Sequence, residues 1–386
     1  MLPMSTFKNV PLALLALTLV APAVHAQQTV LPLWPHGTPE PAQTTEPEKD
    51  VTKDSDAFIN GHRTVRLANV TVPTMTVYQP SADKNTRTAA LVFPGGGYAR
   101  LAWTGEGTDT CDWLTSVGIT CLLVKYRVPQ PQGEAGHYPA DFADLEDAQQ
   151  AMRLARAHAA EWHIDPAHIG VIGFSAGGNL AVLLSTHPDD HHVESTPAAH
   201  DIPGLTSGPT GGITLTGTAD ARPNFAIVVY PAYLATPPDN KTLDPVYAPN
   251  QFTPPTFLIQ AEDDKSYGFN APIYYQALAA AKIPAELHMY ASGGHGFGIR
   301  PPGKPEEHWT RIADLWLRTI DMLPPYNQQR PATLTAPASL PNAPTNAPCT
   351  TPGSAAPASQ QPQPGKPNPG TQPNATGTPA DTPCFP

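Results

Sequence analysis

Gly173-Phe174-Ser175-Ala176-Gly177 sets a serine two residues from glycine on either side, the pattern of a nucleophile at the apex of a sharp strand-to-helix turn. Ile169-Gly170-Val171-Ile172 leads into it and Gly178-Asn179-Leu180-Ala181-Val182-Leu183-Leu184 leads out. A side chain at either glycine would collide with neighbouring backbone in so tight a turn. A serine hydroxyl attacks a carbonyl carbon effectively only when an oriented imidazole takes its proton. His295 is the expected base, because Gly293-Gly294 before it and Gly296 after it let its loop reach across the sheet edge. His288 alternates within the preceding strand and His308 opens the last helix, so both read as structural. The carboxylate that orients the base should follow the strand ending at Gln260-Ala261, where Glu262, Asp263 and Asp264 stand in line. Asp264 is preferred because it lies farthest into the loop; Asp263 and Glu262 stay open as alternatives. Charge developing on the attacked oxygen needs N–H donors aimed at it. Pro94-Gly95-Gly96-Gly97-Tyr98 offers backbone without side chains, and the N–H groups of Gly96, Gly97 and Ala176 are the expected donors of an oxyanion hole. The same run lacks the Lys-Ser/Thr of a phosphate loop and the GxGxxG of a dinucleotide site. The chemistry these residues could do together is acyl transfer through a covalent serine intermediate, with no cofactor.

Such groups must be held by a rigid frame. Residues 89–93, 119–125, 168–174, 225–230, 256–261 and 285–290 are short apolar runs, each ending in turn chemistry, which is how strands buried on both faces read. Helical segments separate several of them, most clearly 141–162, where Phe142, Leu145, Ala148, Met152, Ala155, Ala159 and Trp162 recur three or four apart. The expected fold class is α/β, a mostly parallel central sheet with helices on both faces. Sheets of this kind carry their chemistry beyond the carboxyl ends of the strands, and each candidate residue follows a strand. Residues 64–70 and 74–78 alternate β-branched and polar positions, which predicts an antiparallel hairpin. Residues 27–63 read as a polar segment wrapping the surface, and 188–223 as a polar insertion that helps to line the substrate pocket.

The chain of 386 residues carries 49 prolines and a formal net charge of −11. With no basic stripe to neutralise phosphates, nucleic acid is not an expected partner; an uncharged small molecule or a polysaccharide ester is. From Pro325 onward, 62 residues hold 16 prolines and three charges, Arg330, Lys366 and Asp381. That stretch has too little apolar area to offset the entropy of ordering it. Residues 325–386 are therefore expected to form a disordered Pro/Ala/Thr-rich tail, serving as a spacer or a cell-surface attachment arm. Residues 1–26 carry Lys8, an apolar run and Val24-His25-Ala26, which reads as a secretory signal cut after Ala26. The mature protein is expected to be secreted or periplasmic, without a membrane span, and 27–324 suit one large domain. Four cysteines permit three full pairings. Cys349 with Cys384 is favoured, since a flexible tail closes a loop with little strain; the alternative leaves Cys111 and Cys121 as small buried hydrophobes. Asp189-Asp190-His191-His192 looks like a metal-ligand cluster, but neighbours in a loop point apart, and no metal is expected.

Taken in order, Leu33-Trp34-Pro35-His36-Gly37, Phe93-Pro94-Gly95-Gly96-Gly97-Tyr98, Lys125-Tyr126-Arg127, Gly173-Phe174-Ser175-Ala176-Gly177-Gly178, Arg222-Pro223-Asn224-Phe225 leading to Tyr230-Pro231, and Gly294-His295-Gly296-Phe297-Gly298 resemble the exported bacterial α/β-hydrolases related to acetyl esterases and acetylxylan esterases. The likeness spans about residues 31–322, and the order Ser175, Asp264, His295 is that of the α/β-hydrolase fold. The resemblance implies ester hydrolysis through a serine acyl-enzyme, on acetyl groups of plant polysaccharide among other substrates. The chain departs from the hormone-sensitive lipase-like pattern at Pro94, where those esterases carry the histidine of HGGG, and the tail has no counterpart in the family. Two other readings stay open. A prolyl oligopeptidase-type peptidase shares the fold, though this chain leaves no room for a β-propeller ahead of residue 64. A noncatalytic surface protein anchored by its tail is the other.

Overall fold

Successive residues of a strand point to opposite faces of a sheet, so a strand that is apolar throughout needs cover on both sides. The computed structural model describes residues 28–326 except 40, 42, 57, 60–61, 130–142, 189–204, 208–212, 216–219, 238–240, 300–302 and 304. It meets that need with an eight-stranded sheet of β1 (Thr29–Pro32), β2 (Thr74–Tyr78), β3 (Ala89–Phe93), β4 (Thr120–Lys125), β5 (Ile169–Phe174), β6 (Ala226–Val229), β7 (Thr256–Ala261) and β8 (Ala285–Tyr290). The spatial order is β1-β2-β4-β3-β5-β6-β7-β8. β2 runs antiparallel to both β1 and β4, and every other pairing is parallel.

Among the described residues, the helices α1 (Asp109–Ser116), α2 (Ala143–Ala157), α3 (Ala176–Thr186), α4 (Asn270–Ala280) and α5 (Trp309–Thr319) complete the layers. Leu91, Phe93, Val171, Val228 and Leu258 join Leu145 and Met152 of α2, Leu180 of α3 and Leu278 of α4 in one core. The alternate residues Ala90, Val92, Ile172, Ile227 and Phe257 join Leu114 of α1 with Trp309 and Trp316 of α5 in a second. The period-two pattern thus divides the core between the two faces, as a doubly covered sheet requires.

The structure departs from the sequence reading in four places. Residues 64–70 and 74–78 do not form a hairpin: Leu67–Ala68 pairs with Lys49–Asp50, while β2 is inserted between β1 and β4. Met75, Thr76 and Val77 are all buried, so β2 gains far more cover inside the large sheet than a two-stranded hairpin could supply. Part of the leading segment, read as surface wrapping, supplies the edge strand β1. Helix α2 stops at Ala157 rather than at 162, where the chain tightens into turns with Ala159 N–H on Arg156 O and His163 at φ 55°; Ala159 and Trp162 are still buried as the periodicity requires. Cys111 and Cys121 are not free thiols. A disulfide joins α1 to β4 through them, because the turn at 117–119 folds the chain back until their Cα atoms stand 5.1 Å apart. Cys349 and Cys384, residues 1–26 read as a signal, the residues from 327 onward read as a tail, Asp189 to His192 and most of the 188–223 insertion lie outside the described residues. Among the described residues no helix is long and apolar enough to cross a membrane, and no His, Cys, Asp and Glu side chains are grouped as metal ligands would be.

Two of the motifs meet at one buried carboxylate. Trp34 Nε1 donates to Asp147 Oδ1 at 2.7 Å, and Arg127 donates to the same Asp147 from Nε and Nη2 at 3.0 and 2.8 Å. Burial raises the Asp147 carboxyl, and the Arg127 charge and these hydrogen bonds oppose the rise without cancelling it. An isolated charge there would be prohibitive; the pair ties the leading segment to the start of α2 and to the end of β4.

Candidate active site

Ser175 stands between β5 and α3 with φ 54° and ψ −116°, a left-handed conformation that a serine adopts only when its surroundings impose it. The surroundings are backbone. A Cβ at position 173 would lie 2.0 Å from Gly177 O, and one at 177 would lie 2.0 Å from Phe93 O. Only glycine fits at both, and the turn drives the serine side chain out of the sheet toward a cleft of about 530 Å³.

Ser175 Oγ lies 2.7 Å from His295 Nε2, and His295 Nδ1 lies 2.7 Å from Asp264 Oδ2. Three residues from three loops thus form a continuous relay. The imidazole is flanked by the rings of Tyr230 and Tyr267, with centroids 5.3 and 4.9 Å away. Asp264 is 4% exposed. Its Oδ1 accepts the N–H groups of Ser266 and Tyr267, and its Oδ2 also accepts Gln260 Nε2 at 3.0 Å. Burial works to raise this carboxyl, but the His295 hydrogen bond and charge, with the Tyr267 and Ser266 N–H groups, outweigh it and hold it below the ordinary aspartate value. It is therefore a carboxylate wherever histidine is neutral.

Asp263 and Glu262 are exposed and take no part in the relay. Asp263 Oδ1 instead accepts the Gly294 N–H at 2.7 Å, fixing the loop one residue before His295. His288 meets Glu286 and the Phe257 ring, and His308 precedes α5.

Gly96 and Gly97 line the cleft beside Ser175 and His295. Their φ values of 133° and 64°, followed by 54° at Tyr98, make a left-handed run in which glycine is the natural occupant. Tyr98 is held there by its hydroxyl on Asn179 Oδ1 at 2.7 Å and by stacking on Tyr233. Tyr126 Oη donates to Pro94 O at the other end of the loop. Ala176 is buried at the first position of α3, where helix N–H groups and the dipole favour negative charge.

Sequence reasoning missed Gln260, Tyr230 and Glu106. Gln260 carried a signal, since it is a long polar side chain near the end of the otherwise buried, mostly apolar β7. Glu106 is buried in the π-helical segment Trp103–Thr108. Its Oε2 accepts the Gly95 N–H at 2.6 Å, and its Oε1 accepts the Tyr230 hydroxyl at 2.9 Å.

The fold is that of the α/β-hydrolases. The chain is 29% identical over 255 residues to an acetylxylan esterase of Xylanibacter ruminicola, covering 60% of this chain and 45% of that protein; it spans less than half the length of that relative. It is also 29% identical over 254 residues to the carboxylesterase NlhH of Mycobacterium tuberculosis, covering 61% of this chain and 74% of that one. The crystal structure of an acetyl ester-xyloside bifunctional hydrolase from Caldicellulosiruptor lactoaceticus superposes with a TM-score of 0.53 at 28% identity, over 76% of this chain and 97% of that one. The BD-FAE profile matches residues 75–271, a span that begins in β2 and takes in the glycine loop, Ser175 and Asp264; this chain belongs to the BD-FAE family.

Proposed function

We propose that the protein is a serine carboxylic-ester hydrolase acting on short-chain, chiefly acetyl, esters, acetylated plant polysaccharide among them. The relay from Ser175 Oγ through His295 to Asp264, with both contacts at 2.7 Å, carries this reading. The names of the acetylxylan esterase and of the acetyl ester hydrolase it resembles support the acyl group. His295 Nε2 takes the Ser175 proton as Oγ bonds to the ester carbonyl carbon, and the Asp264 carboxylate steadies the imidazolium that forms. The N–H groups of Gly96, Gly97 and Ala176 receive the oxyanion. Collapse of the tetrahedral intermediate breaks the bond to the alkoxide, which leaves with the proton from Nε2. Water then repeats the sequence on the acyl-enzyme, releasing the acid and restoring Ser175. Hydrolysis of p-nitrophenyl esters of increasing chain length, then of acetylated xylan, tests the reading. It predicts turnover that falls as the acyl chain lengthens; cleavage of peptides with no esterase activity would overturn it.

The base must be neutral to act. Asp264 is held below the ordinary aspartate value, so it stays a carboxylate across that range. The value of kcat/KM is expected to rise through one acid limb and level off in mildly alkaline buffer. A rate independent of pH from about 5 to 9 would contradict a histidine base.

The same proposal includes export, read from residues 1–26, and a tail that contributes nothing to catalysis. Tyr326 still belongs to the hydrolase unit: the Arg318 guanidinium lies 4.0 Å from its ring centroid, and its hydroxyl bonds Asp314. A chain ending at Tyr326 is expected to keep its thermal midpoint and its kinetics on soluble esters. A fall of several degrees in Tm on that truncation would mean that residues beyond 326 pack on the domain.

A further inference from the structure

One carboxylate touches both halves of the reaction machinery. Glu106 Oε2 accepts the N–H of Gly95, the residue just before Gly96 and Gly97. Gly95 itself lies against the nucleophile, since a Cβ built there would stand 2.7 Å from Ser175 Cβ. Glu106 Oε1 accepts the Tyr230 hydroxyl, whose oxygen accepts the Gly298 N–H at 2.9 Å. Gly298 O in turn accepts Trp309 Nε1 at 2.9 Å, which anchors the loop carrying His295 to α5. The Tyr230 ring also packs edge-on against His295 and Phe297. We propose that Glu106 is a positioning residue for the reaction at Ser175, its two oxygens fixing the oxyanion loop through Gly95 and the base-bearing loop through Tyr230 and Gly298. This inference rests on the esterase reading above.

The geometry leaves little slack. The carboxylate is 7% exposed, and loss of either hydrogen bond would leave a buried polar group unmet. Burial raises its pKa, while the Gly95 N–H, the Tyr230 hydroxyl and the charges of His295 and Arg66 oppose the rise. The titratable and charged groups facing Glu106 are thus Tyr230 from the end of β6, His295 from its loop and Arg66. A glutamine at 106 fills the same volume but offers one acceptor oxygen, so either the Gly95 N–H or the Tyr230 hydroxyl meets an NH₂ group.

For Glu106→Gln, kcat on p-nitrophenyl acetate should fall about 10²-fold with KM nearly unchanged, the scale of a small misplacement of reacting groups. Tyr230→Phe keeps the ring packing and removes only the relay to Gly298, so it should lose less kcat than Glu106→Gln. Together the two substitutions should cost no more than Glu106→Gln alone, because they break one network. Parental kcat in either variant would overturn the proposal, as would a KM that rises as much as kcat falls or losses that add in the double variant, which mark loosened packing. An inactive parent would sink the esterase reading instead; an active parent with an equally active Glu106→Gln would sink this inference alone.

Discussion

Ser175→Ala is expected to abolish ester hydrolysis, lowering kcat by about 10⁶-fold, the scale found when the nucleophile of a serine hydrolase is removed. The structure gives the reason for so clean a loss. The hydroxyl makes the 2.7 Å contact to His295 and does not cap α3, so alanine removes no helix cap. The His295 side chain is 29% exposed, which lets water take the place of Oγ at Nε2. The left-handed backbone at 175 is imposed by Gly173, Gly177 and the Phe93 carbonyl rather than by the serine side chain. Thermal midpoint and expression should be unchanged, and labelling by a fluorophosphonate probe should vanish. Labelling that persists at another serine would move the nucleophile elsewhere.

Asp264→Asn is expected to lower kcat by about 10⁴-fold through loss of the productive imidazole tautomer. An asparagine can keep the Ser266 and Tyr267 N–H groups on its carbonyl oxygen, the place now held by Oδ1. Its NH₂ then faces His295 Nδ1, forces that nitrogen to accept, and leaves the proton on Nε2, where it must be absent for Ser175 to be deprotonated. Asp263→Asn retains an acceptor for the Gly294 N–H at an exposed position and should change kcat little. Comparing the two variants over the full pH range gives the decisive contrast: a large loss at 263 with little at 264 would transfer the acid to Asp263.

The parts of the site legible in the sequence are those governed by sterics within a few residues. The glycines around Ser175 announce a turn that no side chain could share, and the glycines around His295 announce a loop free to cross the sheet edge. The apolar runs of β3 to β8 announce strands covered on both faces, because hydrophobic periodicity depends on the pleat and not on which strand lies alongside. Among Glu262, Asp263 and Asp264 the sequence favours Asp264 by its place in the loop but leaves the other two open. The three are consecutive, and which of them meets an imidazole 31 residues on follows from the register of β7 on β8 and the turn that buries Asp264.

Other features depended wholly on long-range pairing. The residues of β2 carry a strand signature but no statement of partner, and cover by both β1 and β4 replaced the expected hairpin. The cysteine count left the pairing open, with a Cys349–Cys384 bond favoured and buried free thiols at 111 and 121 as the alternative; Cys111 and Cys121 are buried but bonded to each other, because the chain turns back between α1 and β4. Glu106 gave no signal at all: a glutamate between two glycines looks like a solvated turn. Its partners lie 11 residues before it and 124 after it, and only the folded sheet brings the ends of β3 and β6 close enough for one buried carboxylate to hold both.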